Sequence, residues 1–187
     1  MNDRIRTLVD DHVARHPEDA EHLAALRTQL ESAADITSRS NMAGHVTAST
    51  MVLDRTRTRA LLIGHLALGV EIPPGGHMDS GETPHETAIR ELGEETGVTG
   101  TRPAGGKPFL LDIDTHPIPA RPSKNEGPHQ HHDMMWLELT DDDHETAIQD
   151  SEISAARWAP LEEMAGTPGR NGRIARRVLS MPPGALA

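Results

Sequence analysis

The chain has 187 residues, enough for one domain with a proper core plus an appendage of a few dozen residues, and too few for two full domains. Its 18 Lys and Arg against 29 Asp and Glu leave a formal charge of −11, which argues against binding polymeric nucleic acid through a phosphate-neutralising surface. The absence of cysteine excludes disulfides, zinc–thiolate sites and thiol nucleophiles, and with no signal-like or membrane-spanning apolar run the expectation is a soluble cytoplasmic protein with no membrane partner.

In chain order, Ile5, Leu8, Val9, His12 and Val13 recur at i, i+3, i+4 and predict a helix. After a break at Pro17, Leu23, Leu26 and Leu30 mark a second. Residues 1–40 therefore read as an N-terminal helical extension, a hairpin that fits either a cover for the main domain or a homodimer contact. From residue 44 the period falls to two, with Val46, Ala48 and Thr50 alternating against Thr47, Ser49 and Met51, and "RALLIGH" follows after a polar turn. Residues 66–82 read as a glycine- and proline-rich loop and 83–96 as a helix. Residues 107–118 and 133–140 read as strands joined by a long polar, proline-broken loop. "ISAARWAPLEEMA" supplies a further strand and short helix, and "GRNGRIARRVLSM" a basic helix. Strands interleaved with helices over residues 41–187 give one mixed α/β domain that includes the C-terminal helix.

The helix at 83–96 carries the chemistry. Thr83, Pro84 and Glu86 form a capping box with proline in the first turn, and Gly97 suits the left-handed C′ position. Ala88, Ile89, Leu92 and Thr96 share one face, while Glu91, Glu94 and Glu95 share its neighbour. A solvated acidic face is the ordinary explanation for such spacing. Here Arg90 is the sole counter-charge within the helix, Glu82 adds another carboxylate, and Gly93 costs about 1 kcal/mol of helix propensity with no local return. Carboxylates converging from a helix and a Gly-Gly approach loop are better explained by hard divalent cations, which take oxygen ligands.

Gly76, five residues, Glu82, seven residues, then "RELGEETGV" from Arg90 to Val98 resembles the Nudix box, Gly-x5-Glu-x7-Arg-Glu-U-x-Glu-Glu-x-Gly-U with U aliphatic, at every fixed position. The resemblance implies a Nudix-like α/β/α sandwich with a mixed sheet. It also implies a Mg²⁺- or Mn²⁺-dependent hydrolase acting on a nucleoside diphosphate linked to another group X, and hence a small-molecule nucleotide partner. Carried over by position, it makes Glu91, Glu94 and Glu95 the metal ligands, with the Gly75 carbonyl as an additional one. Glu82 stands behind them, and Arg90 orients the glutamates. Glu91 is the first choice of general base, with Glu126, Asp133 and Glu152 as weaker candidates.

Around the box, Arg121, Lys124, His129, His131 and His132 are candidate contacts to substrate phosphates or another metal, with a solvated loop as the alternative, and His77 is a candidate substrate contact or a plain loop residue. The only aromatic residues are Phe109, Trp136 and Trp158, so a base-stacking platform has few candidates. Trp136 is the one carried forward, with core burial as its competitor, and Trp158 is expected to be buried. Within diphosphate chemistry, removal of a nucleotide such as CMP from a biosynthetic intermediate and housecleaning hydrolysis of nucleoside triphosphates are the alternatives. A noncatalytic nucleotide sensor is the alternative of another class, and the intact glutamates weigh against it. Isopentenyl diphosphate isomerase fits less well, because that activity looks to a cysteine.

Overall fold

The spine of the molecule is β1 (His45–Leu53), all nine residues of which are buried. The computed structural model describes residues 1–32, 34–65, 69–122, 126–141, 153–182 and 184–186. β1 runs parallel to β7 (His129–Leu139), from His45 opposite His131 to Leu53 opposite Leu139. Antiparallel to β7 lie β6 (Leu110–Ile118) and the two-residue β5 (Arg102–Pro103). On the other side, β2 (Arg59–His65) meets β1 at the turn, Leu53 opposite Ala60, and then pairs with β3 (Val70–Ile72) and β8 (Ile153–Pro160). As β2 swings away, β4 (Gly75–His77) takes the edge of β1, with Thr47 opposite His77 and Ser49 opposite Gly75.

Both faces of this mixed sheet are covered, which is why β1 has no solvated side. On one face, Val46, Ala48, Met134 and Trp136 pack against Ile5 and Val9 of α1 (Asn2–Arg15), Leu26 and Leu30 of α2 (Ala24–Leu30), and Ala88 of α3 (Pro84–Thr96). On the other, Met51, Leu53, Met135 and Leu137 pack against Leu161 and Met164 of α4 (Leu161–Ala165) and Ile174, Ala175 and Val178 of α5 (Gly169–Leu179). The result is the expected α/β/α sandwich. The apolar stripes of the N-terminal helices are used within this chain, against the sheet.

Three expectations need correction. The segment 66–82 is not a loop throughout, because β3 and β4 lie within it; short glycine-rich edge strands carry no hydrophobic alternation. β7 begins at His129 rather than 133, so His129, His131 and His132 belong to a strand and not to the connecting loop. Polar side chains hid the strand, which backbone pairing to β6 (Ile118 opposite His129) and β1 sustains. Trp158 is only half buried, against the small cluster of Val52, Leu61, Leu92 and Val98. The basic helix forms as expected, at Gly169–Leu179. Its Arg170, Arg173 and Arg177 turn inward, while Arg176 is exposed.

A bulge between Leu110 and Asp112 in β6 breaks the two-residue alternation, so that consecutive residues, Leu111 and Asp112, both meet α5. Asp112 is fully buried and takes Arg170 at 3.1 Å, Arg173 at 2.9 Å and Arg177. Arg177 also reaches Asp19, which holds buried His12 at 2.7 Å, so the network ties the C-terminal helix to the N-terminal segment. Removing one partner of such a network strands charge in a poorly hydrated place. Asp112→Ala is expected to lose about 3–5 kcal/mol of stability in urea unfolding; a loss below about 0.5 kcal/mol would show that the network is not structural.

Candidate active site

α3 is built as its sequence dictates. Thr83 accepts from the Glu86 amide while Glu86 accepts from the Thr83 amide at 2.8 Å, and Gly97 ends the helix at φ 71°. Thr50 of β1 donates to the Ala88 carbonyl at 2.9 Å and fixes the helix on the sheet. This leaves its acidic side facing β4.

Arg90 gathers that side. Its guanidinium donates to Glu82 at 2.9 and 3.1 Å, to Glu91 at 2.9 Å and to Glu94 at 3.0 Å, and reaches the His77 carbonyl at 2.9 Å. Glu82 also accepts from the Thr87 hydroxyl and the Asp79 amide. The hydrogen bonds from Arg90, supported by Thr87, pull the Glu82 carboxyl down to about 2. Glu91 goes the other way: burial pushes its pKa up, against the opposing pull of Arg90. Glu95 is 8% exposed and accepts the Gly75 amide at 2.9 Å, pinning β4 to the helix. Gly76 lies so close to the Glu91 carboxylate that a Cβ there would overlap it and displace that carboxylate from its place.

The sequence-derived ligand set is thus brought to one place, on adjacent turns of α3 and the strand it faces. A desolvated carboxylate with raised proton affinity at Glu91, an exposed one at Glu94 and a backbone-anchored one at Glu95 are hard oxygen donors, which suits a hard divalent cation. Glu91 and Glu94 converge on Arg90, however, while Glu95 is held by the Gly75 amide. Among the described residues, the side chains whose donor atoms meet within 4.8 Å as a group of three are His45, His77 and His131.

The remaining candidates separate. Asp133 is buried and accepts from Thr47 at 2.8 Å, Ser49, and Arg170 at 2.7 Å, so it is part of the scaffold. Glu126 is paired with Arg39 at 2.5 Å, and its backbone bridges that of Arg121. His132 is fully buried between Thr115 and Gln29, each at 3.0 Å. Trp136 is 4% exposed and meets His85 edge-on at 5.1 Å, which leaves no open ring face for a base. It floors a cleft of about 390 Å³ between the first turn of α3 and Arg4 and Leu8 of α1. Lys124 and Glu152 lie outside the described residues.

Sequence reasoning missed His45 altogether. It begins β1, 32 positions before His77 and 86 before His131, and strand register alone unites the three. It also missed Arg39 at the rim and the Thr47–Ser49–Arg170 cradle around Asp133. Thr47 and Ser49 look like ordinary outward residues of an alternating strand.

The NUDIX domain matches residues 44–180, and the chain belongs to the Nudix family. A probable DHNTP pyrophosphohydrolase of Lactococcus lactis is 43% identical over 75 residues, which is 40% of this chain and 43% of that protein. An RNA pyrophosphohydrolase of Sphingopyxis alaskensis is 33% identical over 99 residues, 50% of this chain and 62% of that one. The chain thus spans less than two thirds of the length of either relative. The structure of the E. coli dihydroneopterin triphosphate pyrophosphohydrolase superposes with a TM-score of 0.56 over 73% of this chain and 96% of that one, at 16% identity, which establishes a shared fold.

The depressed Glu82 carboxyl has a thermodynamic consequence. Its folded pKa of about 2 lies below the ordinary 4.5, so its stabilisation is complete above pH 4.5 and is lost as pH falls towards 2. Glu82→Gln is expected to be less stable than the parent at pH 6, with the gap closing as pH falls from 4.5 towards 2, as read by denaturant unfolding at each pH. A gap independent of pH would refute the linkage.

Proposed function

We propose that the protein hydrolyses a diphosphate bond in a nucleoside diphosphate linked to a group X, releasing a nucleoside monophosphate and X-phosphate. The observation that carries this reading is the arrangement of Glu91 and Glu94 about Arg90 with Glu95 beside them on the Gly75 amide, closed by the Gly75–Gly76 strand. Mg²⁺ or Mn²⁺ would be held by these three glutamates and the Gly75 carbonyl. A cation bound there supplies neutralisation of charge on the nonbridging oxygens and acidifies water.

The chain's own groups do the rest. Arg90 holds Glu91 and Glu94 in register against mutual repulsion, and Glu82 fixes Arg90 from behind. Glu91, its proton affinity raised by burial, takes the proton of the attacking water as general base. Water oxygen bonds to one phosphorus, the bridging P–O bond breaks, and the leaving phosphate departs with that oxygen. The net charge of −11 favours a small nucleotide over a polymer. Hydrolysis of a triphosphate to a monophosphate and pyrophosphate is the second reading, supported by the activity named for the Lactococcus relative.

Release of phosphate or monophosphate from dinucleotides, nucleotide sugars, CMP-linked compounds and triphosphates, with and without Mg²⁺, tests the assignment. Turnover that requires the cation is expected; tight cation-independent binding with no turnover of any compound would indicate a sensor instead. Glu94→Gln is expected to lower kcat by orders of magnitude with no fall in the melting temperature of the metal-free protein, since it removes a like charge from an exposed position. A clear fall would assign Glu94 a structural role. Mg²⁺ at about 100 times its Kd is expected to add roughly 2.7 kcal/mol of stability by mass action, and a melting temperature flat to several millimolar would refute binding.

A further inference from the structure

We propose that His45, His77 and His131, flanked by His129, form a binding site for a zinc-class transition-metal dication, separate from the carboxylates of α3. The three imidazoles come from three neighbouring strands, β1, β4 and β7, and their ring centroids lie 4.8–5.1 Å apart pairwise. Each offers a nitrogen within 4.8 Å of the others. A tetrahedral zinc with Zn–N of about 2.0–2.1 Å sets its nitrogens roughly 3.3 Å apart, so small ring rotations separate this arrangement from a closed site.

A second observation points to a cation rather than to a chance cluster. His45 is 1% exposed, and its Nδ1–H donates to the Asn41 carbonyl at 3.3 Å. That bond fixes the tautomer and leaves Nε2 with a bare lone pair, and this atom is buried with no hydrogen-bond partner. His129 is fixed in the same way. Its Nδ1–H donates to the Gly127 carbonyl at 2.8 Å, so its Nε2 accepts from Nε2–H of His131 at 3.1 Å, a hydrogen bond that ligation of an ion would replace. Backbone carbonyls on the far nitrogen of both rings are the usual support of metal-ligating histidines.

Charge supports the same conclusion. Among the described residues, the charged groups facing the cluster are Arg39 and Glu126, which neutralise one another at 2.5 Å. The bare lone pair of His45 Nε2 repels a phosphate and attracts a cation, and imidazole favours zinc, nickel or cobalt over magnesium. An ion here would tie β4, and with it Gly75 and Gly76, to the β1–β7 pair.

The test uses the full chain, stripped by chelation and returned to buffer with millimolar Mg²⁺, with Co²⁺ as the probe. One Co²⁺ per chain with a tetrahedral visible band, displaced by Zn²⁺, is expected. His45→Ala and His131→Ala should each weaken binding at least about tenfold, while His85→Ala and Glu94→Gln leave it unchanged. The absence of a stoichiometric site, its survival in both histidine variants or its loss in Glu94→Gln would overturn the proposal. So would binding of inorganic phosphate in the absence of metal, lost in the same variants. If the histidine variants do not fold, zinc-edge X-ray absorption of the loaded parent chain decides: three or more imidazole nitrogens sustain the site, and fewer overturn it. Because the assay contains Mg²⁺ and requires no turnover, its failure would leave the hydrolase reading intact.

Discussion

A single guanidinium sets the geometry of the acidic turn. Four carboxylates within two helical turns and the loop before them would repel one another, and Arg90 converts that repulsion into a network by binding Glu82, Glu91 and Glu94 together with the His77 carbonyl. The division of labour among the acids follows from distance and solvent. Glu82, with several donors, is held deprotonated; Glu91, buried, is biased towards protonation; and Glu95 is spent on the backbone of β4. One sequence motif thus yields chemically different carboxylates, because each lies at a different depth and has different partners.

Strand β4 makes the arrangement possible. It occupies the edge of β1 that β2 leaves, and glycine lets it pass close to both β1 and the helix. A side chain at Gly76 would collide with Glu91, and one at Gly75 with β1. One residue further on, His77 turns towards the imidazole cluster while its carbonyl serves Arg90. The same three residues therefore border both the carboxylates and the histidines, and any change in how β4 sits on β1 is felt by both.

The opposite face of the sheet is held by charge as well as by apolar packing. In a chain with three aromatic residues, Leu, Ile, Val, Met and Ala fill the core, and the bulge in β6 turns Asp112 towards three arginines of α5. Arg170 extends that network to Asp133, next to Thr47 and Ser49 of β1. Desolvation makes such a network expensive to break, so it fixes the C-terminal helix in one register.

The sequence by itself determined the box, the limits of α3 with both caps, the sandwich architecture and the residues able to offer hard oxygen ligands. These are local: a capping box, a C′ glycine and a periodicity of 3.6 are written in residues a few positions apart. It did not determine the strand at His129–His132, the inward turn of the α5 arginines, the burial of Trp136 or the meeting of His45 with His77 and His131. Each of those depends on register between strands far apart in the chain, and register is set by backbone pairing and by packing on both faces of the sheet, neither of which leaves a pattern in the order of the residues. Tertiary structure alone decided which histidines became neighbours and which charges lost their water.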